Sequence, residues 1–429
     1  MSALSINVHH LTRVEGHGNI VVDVRNGNIK ECRFEVVEAP RFFEAFVRGR
    51  PYTEINHITS RICGICAVGH STTSAMATES ALGVDLTEQG ELLRRLNFHG
   101  EIIDSHVLHT YYLVAPDFFG VGSVFPLIDI NREAVERALR IKKLSGDLCA
   151  MIGGRHTHPC ALVVGGFTHT PTEEELRTMR ERLVAAREDM DASVELFGSL
   201  DWPQFERETE YISLTKDDEY AFVGGRIKSS DGHEYPVEDY RQVTNEEMVP
   251  FSTAKWTRNN RESYMVGALA RFNNNFEQLN PRAKDAAAKL GLEPLVINPF
   301  LNSAAQVVEM VHCVENAIEL IDELLDRGVE PESPSEVEVK AGEGIASCDV
   351  PRGILFHEYA YDEQGLCTEA NCIIPTNQNL ANLHQDMQEL LPQIIDRPED
   401  EIRLTLEMLV RAYDPCISCS THLLTVEFE

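Results

Sequence analysis

The sequence predicts a mainly α protein: a large helical bundle with small peripheral antiparallel β-sheets. Apolar residues recur three and four positions apart through most of residues 53–200 and 257–328, which is the pattern of amphipathic helices. Alternating apolar and polar residues, the pattern of half-buried strands, are concentrated in two regions, 6–38 and 338–376. With 43% hydrophobic residues the 429-residue chain can bury a large core, and we expect residues 1–429 to form a single domain.

The elements of the N-terminal half follow from these patterns in order. Within 6–38, two alternating stretches flank Asn26-Gly27, a dipeptide suited to a tight hairpin turn, so this region is predicted to be a small sheet. Helices then follow one another up to about residue 200. The last of them, residues 171–196, has three glutamates in its first turn, where the positive end of the helix dipole favours negative charge.

The C-terminal half alternates between strands and helices. Short strand-like stretches around residues 230–232 (Ser-Asp-Gly) predict a hairpin excursion on the surface over about 203–256. Helices resume over about 257–328, and several glycines and prolines accompany the strand region 338–376. One last helix, over about 377–412, is predicted to lead the chain to a cysteine pair near the C-terminus.

The charge balance restricts the partners of this chain. It carries 38 basic and 69 acidic residues, a formal net charge of −31 at pH 7. Such a surface repels phosphate backbones and anionic lipid headgroups, so neither nucleic acid nor a membrane is an expected partner. The sequence has no uninterrupted apolar run of about 18 residues that would span a bilayer. Its start lacks the basic head and apolar stretch of a secretory signal, so we expect a cytoplasmic protein.

The cysteine count argues against a disulfide framework, because 11 is an odd number and the chain is large. Most single cysteines are expected to be small buried apolar residues, as for Cys149 and Cys313. Two close pairs stand apart from these single residues and need a different explanation.

Those two Cys-x-x-Cys pairs are Cys63 with Cys66, and Cys416 with Cys419. Two intervening residues allow both sulfurs of a pair to point at one metal ion. Four thiolates select a soft or borderline metal, such as zinc, an iron–sulfur cluster or nickel. Spacing alone does not choose between these metals, and unrelated thiols or redox pairs remain an alternative. The gap of about 350 residues between the pairs is, however, far longer than in small zinc modules.

The residues around the first pair suit a buried metal site. A helix starting after Cys66 would place His70 one turn further along the same face, within reach of a metal-bound sulfur. The alternative for His70 is an ordinary core histidine with a hydrogen-bond partner. Residues 67–83 are rich in small side chains, which permits close helix packing, and Arg61 supplies a cation that could balance thiolate charge.

With their flanking residues, the two pairs resemble the signature motifs of the large, catalytic subunit of nickel–iron hydrogenases. The N-terminal motif is Arg-x-Cys-Gly-x-Cys-x-x-x-His at residues 61–70, and the C-terminal motif is Asp-Pro-Cys-x-x-Cys-x-x-His at residues 414–422. Further family landmarks occur in order: Arg13-Val-Glu15, Pro40-Arg-Phe-Phe-Glu44, Pro351-Arg352-Gly353 and Ile374-Pro375-Thr376. The resemblance extends over residues 13–422. It is closest to the soluble, multi-subunit group coupled to NAD(P), a deazaflavin or low-potential carriers.

The resemblance implies the fold of that family and a nickel–iron centre at the four cysteines. Cys63 and Cys416 would be terminal ligands of nickel. Cys66 and Cys419 would bridge nickel to an iron that also carries carbon monoxide and two cyanides. The implied reaction is the reversible heterolytic cleavage of H2, with H2 and protons as substrates and a nearby base to take the proton.

The resemblance also implies a route for the proton. The candidate bases are the thiolate of Cys416 and the guanidine of Arg352. Because the pKa of arginine is about 12.5 or higher, the thiolate is favoured, and Arg352 would shape the field and bind a cyanide. A plain salt-bridge arginine is the alternative for Arg352. Glu15 resembles the family carboxylate that carries the proton away, whereas a glutamate at a strand end is otherwise usually solvated.

Four further residues would surround the centre. Asp414 and Asp117 are the expected charge partners of Arg352. His70 would hydrogen-bond a bridging sulfur. Thr376 would donate to a cyanide, because a cyanide nitrogen left unpaired in a dry pocket is costly.

A second metal site, generally magnesium in the family, is implied by Glu44 and His422 with the backbone carbonyl of Cys372. This cation would tie the C-terminus into the core. Residues 423–429, LLTVEFE, resemble the tail that a maturation protease removes in the family after nickel insertion. Its removal would let the C-terminal cysteine pair close over the metals.

The electrons need a partner protein, because the chain has no second cysteine set for a relay and no Gly-x-Gly-x-x-Gly run for a dinucleotide. We infer an iron–sulfur small subunit placed near residues 63–66, followed by flavin- or NAD(P)-binding subunits of the diaphorase type. Two other classes of protein are alternatives to a hydrogenase. The first is the quinone-site subunit of respiratory complex I, which lacks the paired cysteines. The second is a scaffold protein stabilised by zinc, which would hold zinc only and would catalyse nothing.

Overall fold

The computed structural model describes residues 4–9, 11–25 and 28–421. Within these ranges helices predominate and account for about half of the chain, which confirms the mainly α fold class. The fifteen described helices are α1 (Phe43–Val47), α2 (Tyr52–Thr59), α3 (Ala67–Leu82), α4 (Glu88–Val107), α5 (Ala115–Phe118), α6 (Val124–Ile130), α7 (Arg132–Gly153), α8 (Glu173–Gly198), α9 (Tyr240–Val243), α10 (Ala268–Asn275), α11 (Pro281–Lys289), α12 (Asn302–Arg327), α13 (Pro375–Ile394), α14 (Glu399–Ala412) and α15 (Ile417–Ser420).

The described strands form four small sheets. They are β1 (Leu4–Val8), β2 (Gly18–Arg25), β3 (Asn28–Val36), β4 (Leu162–Val163), β5 (Gly166–Phe167), β6 (Glu210–Thr215), β7 (Arg226–Ser229), β8 (Glu234–Tyr235), β9 (Tyr264–Met265), β10 (Gly342–Val350), β11 (Gly353–Tyr361) and β12 (Cys367–Ile373). The strand orders are β1-β2-β3, β4-β5, β8-β7-β6-β9 and β10-β11-β12. Neighbouring strands are antiparallel except β6 and β9, which pair in parallel.

Four long helices, α4, α7, α8 and α12, pack together as the bundle that the helical periodicity predicts. Each contributes buried apolar residues at helical spacing, such as Leu183 of α8 and Ile321 of α12. Helix α8 begins with a capping box, in which Thr172 and Glu175 satisfy each other's backbone amides. The predicted long helix before residue 200 is therefore confirmed together with its acidic first turn.

The predicted N-terminal sheet is present as β1, β2 and β3. Along β2 the residues Ile20, Val22 and Val24 are buried while their neighbours are not, which is the period of two expected for a strand with one buried face. Strand β3 packs against α13. The predicted turn at residues 26–27 lies outside the described residues, although β2 and β3 pair antiparallel on either side of it.

Helix α3 packs directly on β10 and β11. Of its sixteen residues only Ser80 is exposed. Glycines in β10 permit the close approach, because a Cβ added to Gly344 would lie 2.2 Å from the carbonyl oxygen of Ala77. Strands β10 and β11 are buried along most of their length, so this sheet lies deeper in the protein than the predicted peripheral position.

The predicted surface hairpin of residues 203–256 is only partly correct. The Ser-Asp-Gly turn at 230–232 does connect β7 to β8, as predicted. Strand β6, in contrast, is buried at every position. It is buried because β7 and β9 flank it and α10 packs against it. The prediction of a surface excursion is therefore wrong for β6.

The predicted last helix, about 377–412, is two helices. Helix α13 ends at Ile394, and α14 starts after Pro398, whose ring disfavours helical conformation in the residue before it. Three acidic residues follow Pro398 in the first turn of α14. The region 53–200 is likewise not helical throughout, because the short pair β4 and β5 interrupts it.

Two expectations drawn from composition can be compared with the structure. In the described ranges no helix combines the length and the apolar character needed to cross a lipid bilayer. Cys149 in α7 and Cys313 in α12 are buried, as predicted for single cysteines. Cys313 belongs to the hydrophobic core, whereas the sulfur of Cys149 lies 3.8 Å from the carbonyl oxygen of Asn97.

Replacing Gly344 by alanine is expected to lower the free energy of unfolding by about 1–3 kcal/mol, because the added methyl group would overlap the backbone of α3. Gly122→Ala is the matched control. Its added methyl group meets no atom within 4 Å, so a change below about 0.5 kcal/mol is expected. Urea denaturation followed by circular dichroism measures both variants. Equal stability of the two would contradict the close packing of α3 on β10.

Candidate metal centre

Four cysteine sulfurs meet in the protein interior. Cys63 and Cys66 lie on the loop between the 3-10 turn Ser60–Ile62 and α3. Cys416 and Cys419 lie at the start and within the short helix α15. All four Sγ atoms lie within 4.8 Å of one another, and each residue is at most 4% exposed. The two pairs that spacing singled out thus form one buried cluster.

Short contacts link the sulfurs. The Sγ atoms of Cys63 and Cys416 are 3.5 Å apart, and Cys416 and Cys419 lie in disulfide contact. The sulfur of Cys63 accepts a hydrogen bond from the amide of Cys66 at 3.1 Å. Burial by itself raises the pKa of the Cys63 thiol, but the hydrogen bonds from Cys66 and the charge of Arg352 outweigh burial and lower it below its ordinary value.

The two ends of the chain are joined beside the cluster. Glu15 and Cys416 form a parallel β-bridge, and the amide of Ile417 donates to the Glu15 carbonyl at 2.9 Å. The Oε2 atom of Glu15 lies 3.2 Å from the sulfur of Cys416 and accepts a hydrogen bond from the amide of Ser418 at 3.1 Å. Gly16 permits this approach, since a Cβ there would lie 2.7 Å from the Ile417 side chain. Glu15 thus contacts a cluster sulfur directly.

Arg41 ties the two cysteine loops together and is absent from the predicted site residues. Its guanidinium donates to the carbonyl of Ile62 at 2.7 Å and to the carbonyl of Ser418, each of which directly precedes a cluster cysteine. Its own amide donates to the carbonyl of Thr421 at 2.9 Å. Arg41 belongs to the motif at residues 40–44, which the sequence relates to the hydrogenase family without assigning a role to Arg41. No local pattern indicated bonds to two loops so far away in the sequence.

Arg352 is buried at the turn between β10 and β11. It donates from Nε to the carbonyl of Asp414 at 2.7 Å and from Nη2 to the Asp414 carboxylate at 2.8 Å. Burial by itself lowers the pKa of Arg352, but Asp414, Cys66 and Cys63 together raise it above the ordinary arginine value. Its buried Nη1 has no hydrogen-bond partner among the described residues, which leaves one donor for a bound group.

Asp414 is held in place from several sides, and its predicted pairing with Arg352 is observed. Its second carboxylate oxygen accepts from the amide of Gln306 at 3.0 Å, and Gln306 in turn contacts Nδ1 of His109 at 2.5 Å. The φ angle of Asp414 is 47°, a left-handed conformation that costs energy for a residue other than glycine. The surrounding bonds maintain this strained turn directly before Cys416.

The prediction that Asp117 also pairs with Arg352 is wrong. The carboxylate of Asp117, in α5, accepts two hydrogen bonds from Arg411, at 2.7 and 2.9 Å, and Arg13 is its second cationic partner. Arg411 stands on α14 and Arg13 in the loop before β2. Asp117 therefore fastens the two segments that lead to the cluster from opposite ends of the chain.

Helix α3 begins directly after Cys66, as predicted, and the amide of His70 donates to the Cys66 carbonyl at 3.0 Å. Nδ1 of His70 lies 3.2 Å from Nε2 of His357, whose Nδ1 lies 2.6 Å from the hydroxyl of Tyr359. His70 is thus a buried histidine one turn from the cluster, with a partner that orients its ring. Its bond to a bridging sulfur stays a prediction.

Arg61 does not supply the buried counter-charge that the sequence suggested. Its side chain is exposed, because the loop before Cys63 turns this position outward. The cation that acts on the pKa values of Cys63 and Cys66 is Arg352. The prediction for Arg61 is therefore wrong.

Glu101, in α4, is a second residue that the sequence did not reveal. Its buried carboxylate accepts hydrogen bonds from the amides of Val68 at 2.6 Å and Gly69 at 2.9 Å, at the start of α3. Burial raises its pKa well above the ordinary value for a glutamate. An acid at a helix N-terminus is favourable, and here it comes from a neighbouring helix. Glu101 therefore holds the first turn of α3 next to Cys66.

The predicted second metal site is described only in part. The Glu44 carboxylate accepts a hydrogen bond from the amide of Cys372 at 2.8 Å, so α1 and β12 meet where the site was expected. Burial raises the pKa of Glu44 to about 7, and Lys255 and Glu246 are its charged neighbours. His422 and the residues after it lie outside the described residues.

The donor set of the cluster fits a soft metal ion. It offers four buried cysteine sulfurs, a neighbouring arginine cation and one guanidinium nitrogen that has no partner among the described residues. Sulfur ligands favour nickel, iron and zinc over hard cations such as magnesium. The fold and the site together define a mainly α protein in which four cysteines from both ends of the chain meet in one buried cluster that could hold a metal ion.

Comparison with known families agrees with this class. Residues 41–134 and 214–422 match the family model described as nickel-dependent hydrogenase, and residues 5–39 match a model described as HoxL-like. This chain belongs to the nickel-dependent hydrogenase family, and it is a large subunit of that family.

Individual relatives extend over nearly the whole chain. The alpha subunit of sulfhydrogenase 1 from Pyrococcus furiosus is 35% identical over 425 residues, which covers 98% of each chain. The F420-non-reducing hydrogenase of Methanothermobacter thermautotrophicus contains a chain that is 30% identical over 458 residues, covering 98% of this chain and 95% of that relative. A solved NAD+-reducing NiFe hydrogenase, in its H2-reduced state, superposes with a TM-score of 0.87 at 27% identity, covering 98% of this chain and 100% of the other.

Replacing Arg41 by methionine is expected to loosen the contact between the two cysteine loops, since two carbonyl groups lose their charged donor. In the reduced, metal-free chain, iodoacetamide should alkylate Cys416 and Cys419 about tenfold faster than in the parent protein. Mass spectrometry of the C-terminal peptide measures this rate. Arg50→Met, at an exposed position, should leave it unchanged. Equal rates in all three proteins would show that Arg41 does not close the loops.

Proposed function

We propose that the four clustered cysteines hold a nickel–iron centre at which this hydrogenase cleaves H2 reversibly and heterolytically. The observation that carries the proposal is the convergence of four buried cysteine sulfurs, with all Sγ atoms within 4.8 Å of one another. Cys63 and Cys416 would bind nickel alone, while Cys66 and Cys419 would bind both nickel and iron. The name of the structural relative, a NiFe hydrogenase, supports the choice of metals.

When bound, the nickel–iron pair, with carbon monoxide and two cyanides on the iron, supplies the electron-rich metals at which H2 is polarised and split. The protein must then satisfy the cyanide nitrogens, because unpaired acceptors are costly in a buried site. Nη1 of Arg352 is a buried donor without a partner among the described residues. The hydroxyl oxygen of Thr376 accepts a hydrogen bond from the backbone amide of Cys416 at 3.0 Å. The hydroxyl hydrogen can therefore be donated to another group. We assign these two donors to the cyanides.

The proton released from H2 has a short route through the chain's own groups. The sulfur of Cys416 would act as the base, since the ion pair with Asp414 keeps Arg352 protonated. Oε2 of Glu15 lies 3.2 Å from this sulfur, so a single transfer moves the proton from thiol to carboxylate. Glu15 is only half-buried and can exchange the proton with solvent. The same steps in reverse serve H2 formation.

His70 would donate a hydrogen bond to a bridging sulfur. The contact of its Nδ1 with His357, 3.2 Å away, supports this role because it orients the ring. Tyr359 holds His357 in turn, at 2.6 Å. Such outer partners are a general feature of metal sites, where they orient the residues that touch the ligands.

A magnesium ion at Glu44, His422 and the carbonyl of Cys372 would complete the C-terminal closure. The contact between Glu44 and the backbone of Cys372 supports the site, since it places a carboxylate beside the proposed carbonyl ligand. Lys255 and Glu246 lie near enough to affect the charge of Glu44. Removal of residues 423–429 by a maturation protease would precede this closure.

An iron–sulfur small subunit would receive the electrons at the surface nearest residues 63–66. Arg61 and Gly64 are exposed there, so a partner can approach this loop. The relatives are themselves named as subunits of hydrogenases, which supports a complex of several chains. We propose NAD(P) as the final acceptor, reached through diaphorase-type subunits, because the structural relative is NAD+-reducing. A deazaflavin or a low-potential carrier is the alternative, and the cytoplasm is the proposed location.

Cys419→Ser tests the metal centre. Serine offers a harder ligand that does not bridge two soft metals, so iron and nickel content and H2 turnover should all be lost. Elemental analysis of the large subunit, separated from its iron–sulfur partner, should give nickel and iron in a one-to-one ratio. Its infrared spectrum should show bands of carbon monoxide and cyanide. Cys160→Ser is the control, because Cys160 is an exposed cysteine outside the cluster. Retained turnover in Cys419→Ser, or zinc as the sole metal of the parent, would overturn the proposal.

Glu15→Gln tests the proton route. Glutamine keeps the size and the acceptor for the amide of Ser418 but accepts no proton, so H2 turnover should fall about 10²- to 10⁴-fold. Nickel and iron content should stay at the parent level, because Glu15 is not a proposed ligand. Glu54→Gln, at an exposed position of α2, should leave turnover unchanged. Parent-like turnover in Glu15→Gln would remove this residue from the route.

A further inference from the structure

Arg271 uses every hydrogen-bond donor of its guanidinium inside the protein core. The residue stands on α10 and is fully buried. Nε and Nη2 each donate to the carboxylate of Glu309 at 2.6 Å. Nη1 donates to the carboxylate of Asp349 at 2.6 Å and to the carbonyl of Val350 at 2.9 Å, and Nη2 also donates to the carbonyl of Pro351 at 3.0 Å. These bonds engage all five N–H groups of an arginine.

Three of the five bonds end on consecutive residues, 349–351, directly before Arg352. The bonds to the carbonyls of Val350 and Pro351 act on the backbone, so they set the path of the chain into the turn that carries Arg352. Gly353 completes the turn against the segment that leads into α10, since a Cβ there would lie 2.4 Å from a methyl group of Val266. The backbone of this turn is therefore fixed on the side of α10.

The other two bonds anchor Arg271 to the helical bundle. Glu309 belongs to α12, and its carboxylate also accepts from the hydroxyl of Tyr220 at 2.7 Å and contacts Nε2 of His106, in α4, at 2.7 Å. Burial by itself would raise the pKa of Glu309, but the charge of Arg271 outweighs it and lowers the pKa to about 2. The pair is thus a charged, fully buried link between the bundle and the turn.

The side chain of Arg352 leaves this turn and ends on Asp414, two residues before Cys416. A continuous set of contacts therefore leads from α12 through Arg271 and the turn to the four cysteines. We propose that Arg271 is a positioning residue, which holds the guanidinium of Arg352 at its place beside the cluster. This inference rests on the role proposed above for Arg352. Lysine cannot replace arginine here, because one ammonium group cannot reach two carboxylates and two carbonyls at once.

Hydrogen–deuterium exchange of the full-length chain tests the positioning itself. In Arg271→Lys, the backbone amides of peptide 349–355 should exchange about tenfold faster than in the parent, because the turn loses its bonds to the guanidinium. Arg94→Lys is the matched control. Arg94 is also a buried arginine with two bonds to a carboxylate, that of Glu79, but it does not contact the turn. Unchanged exchange of this peptide in Arg271→Lys would overturn the proposal.

Turnover of the assembled enzyme tests whether Arg271 acts through Arg352. Arg271→Lys should lower H2 turnover about 10- to 100-fold with nickel and iron still bound, since a misplacement of about 1 Å has effects of this size. The double variant with Arg352→Lys should be no slower than Arg352→Lys alone. If the double variant instead lost turnover by the product of the two single losses, Arg271 would not act through Arg352. Parent-like turnover in Arg352→Lys would instead refute the role of Arg352, while the exchange result would still decide whether Arg271 holds the turn.

Asp349→Asn provides a second variant if Arg271→Lys does not fold. It keeps an oxygen acceptor for Arg271 and removes one charge from the network. We expect a smaller but measurable rise in the exchange of peptide 349–355, and no change in peptides of α8. An equal change of the exchange rate in peptide 349–355 and in the peptides of α8 would count against the proposal.

Discussion

The join between Glu15 and Cys416 is the contact on which the rest of the site depends. These residues are 401 positions apart, and closing so long a loop costs chain entropy that one β-bridge cannot offset. The surrounding core supplies the free energy, since the bundle and the N-terminal sheet bury apolar side chains on both sides of the join. Once the two segments meet, a carboxylate, two loops and four sulfurs share one small buried volume. The proposed proton transfer and the proposed metal binding therefore depend on the same contact.

Buried and partly buried arginines do most of the remaining positioning in this acidic chain. Arg41 bridges the cysteine loops, Arg271 holds the turn before Arg352, and Arg411 fastens α14 to Asp117. A planar guanidinium can bond to carbonyls and carboxylates of several segments at once, which lysine does not do. Buried ion pairs add little net stability but are costly to break, so their contribution is to geometry. The chain places these cations where segments that are distant in sequence must keep a fixed distance.

Local signals explain what could be predicted. The helix after Cys66 follows from helical periodicity and small residues, and the hairpin at 230–232 follows from turn residues. The break before α14 was also marked locally, by Pro398 and three acids, so the single-helix prediction overlooked an available signal. The burial of β6 had no such mark, because it depends on which strands and helix surround it. The pairing of Asp117 with Arg411, rather than with Arg352, is of the same kind.

The sequence by itself determined which residue types are available for chemistry: two Cys-x-x-Cys pairs, the residues flanking them and an excess of acidic over basic residues. Those features are local or additive, so they can be recognised without coordinates. Only the tertiary structure decided which charges reach the cluster, because a guanidinium several ångströms long selects its partners by the packing of whole helices and strands. The structure places Arg61 at the surface and pairs Asp117 with Arg411. It also adds three residues that the sequence did not indicate, namely Arg41, Glu101 and Arg271. The spacing of residues along the sequence does not give the spatial distance between segments that are far apart in the chain. The site is defined by such distances.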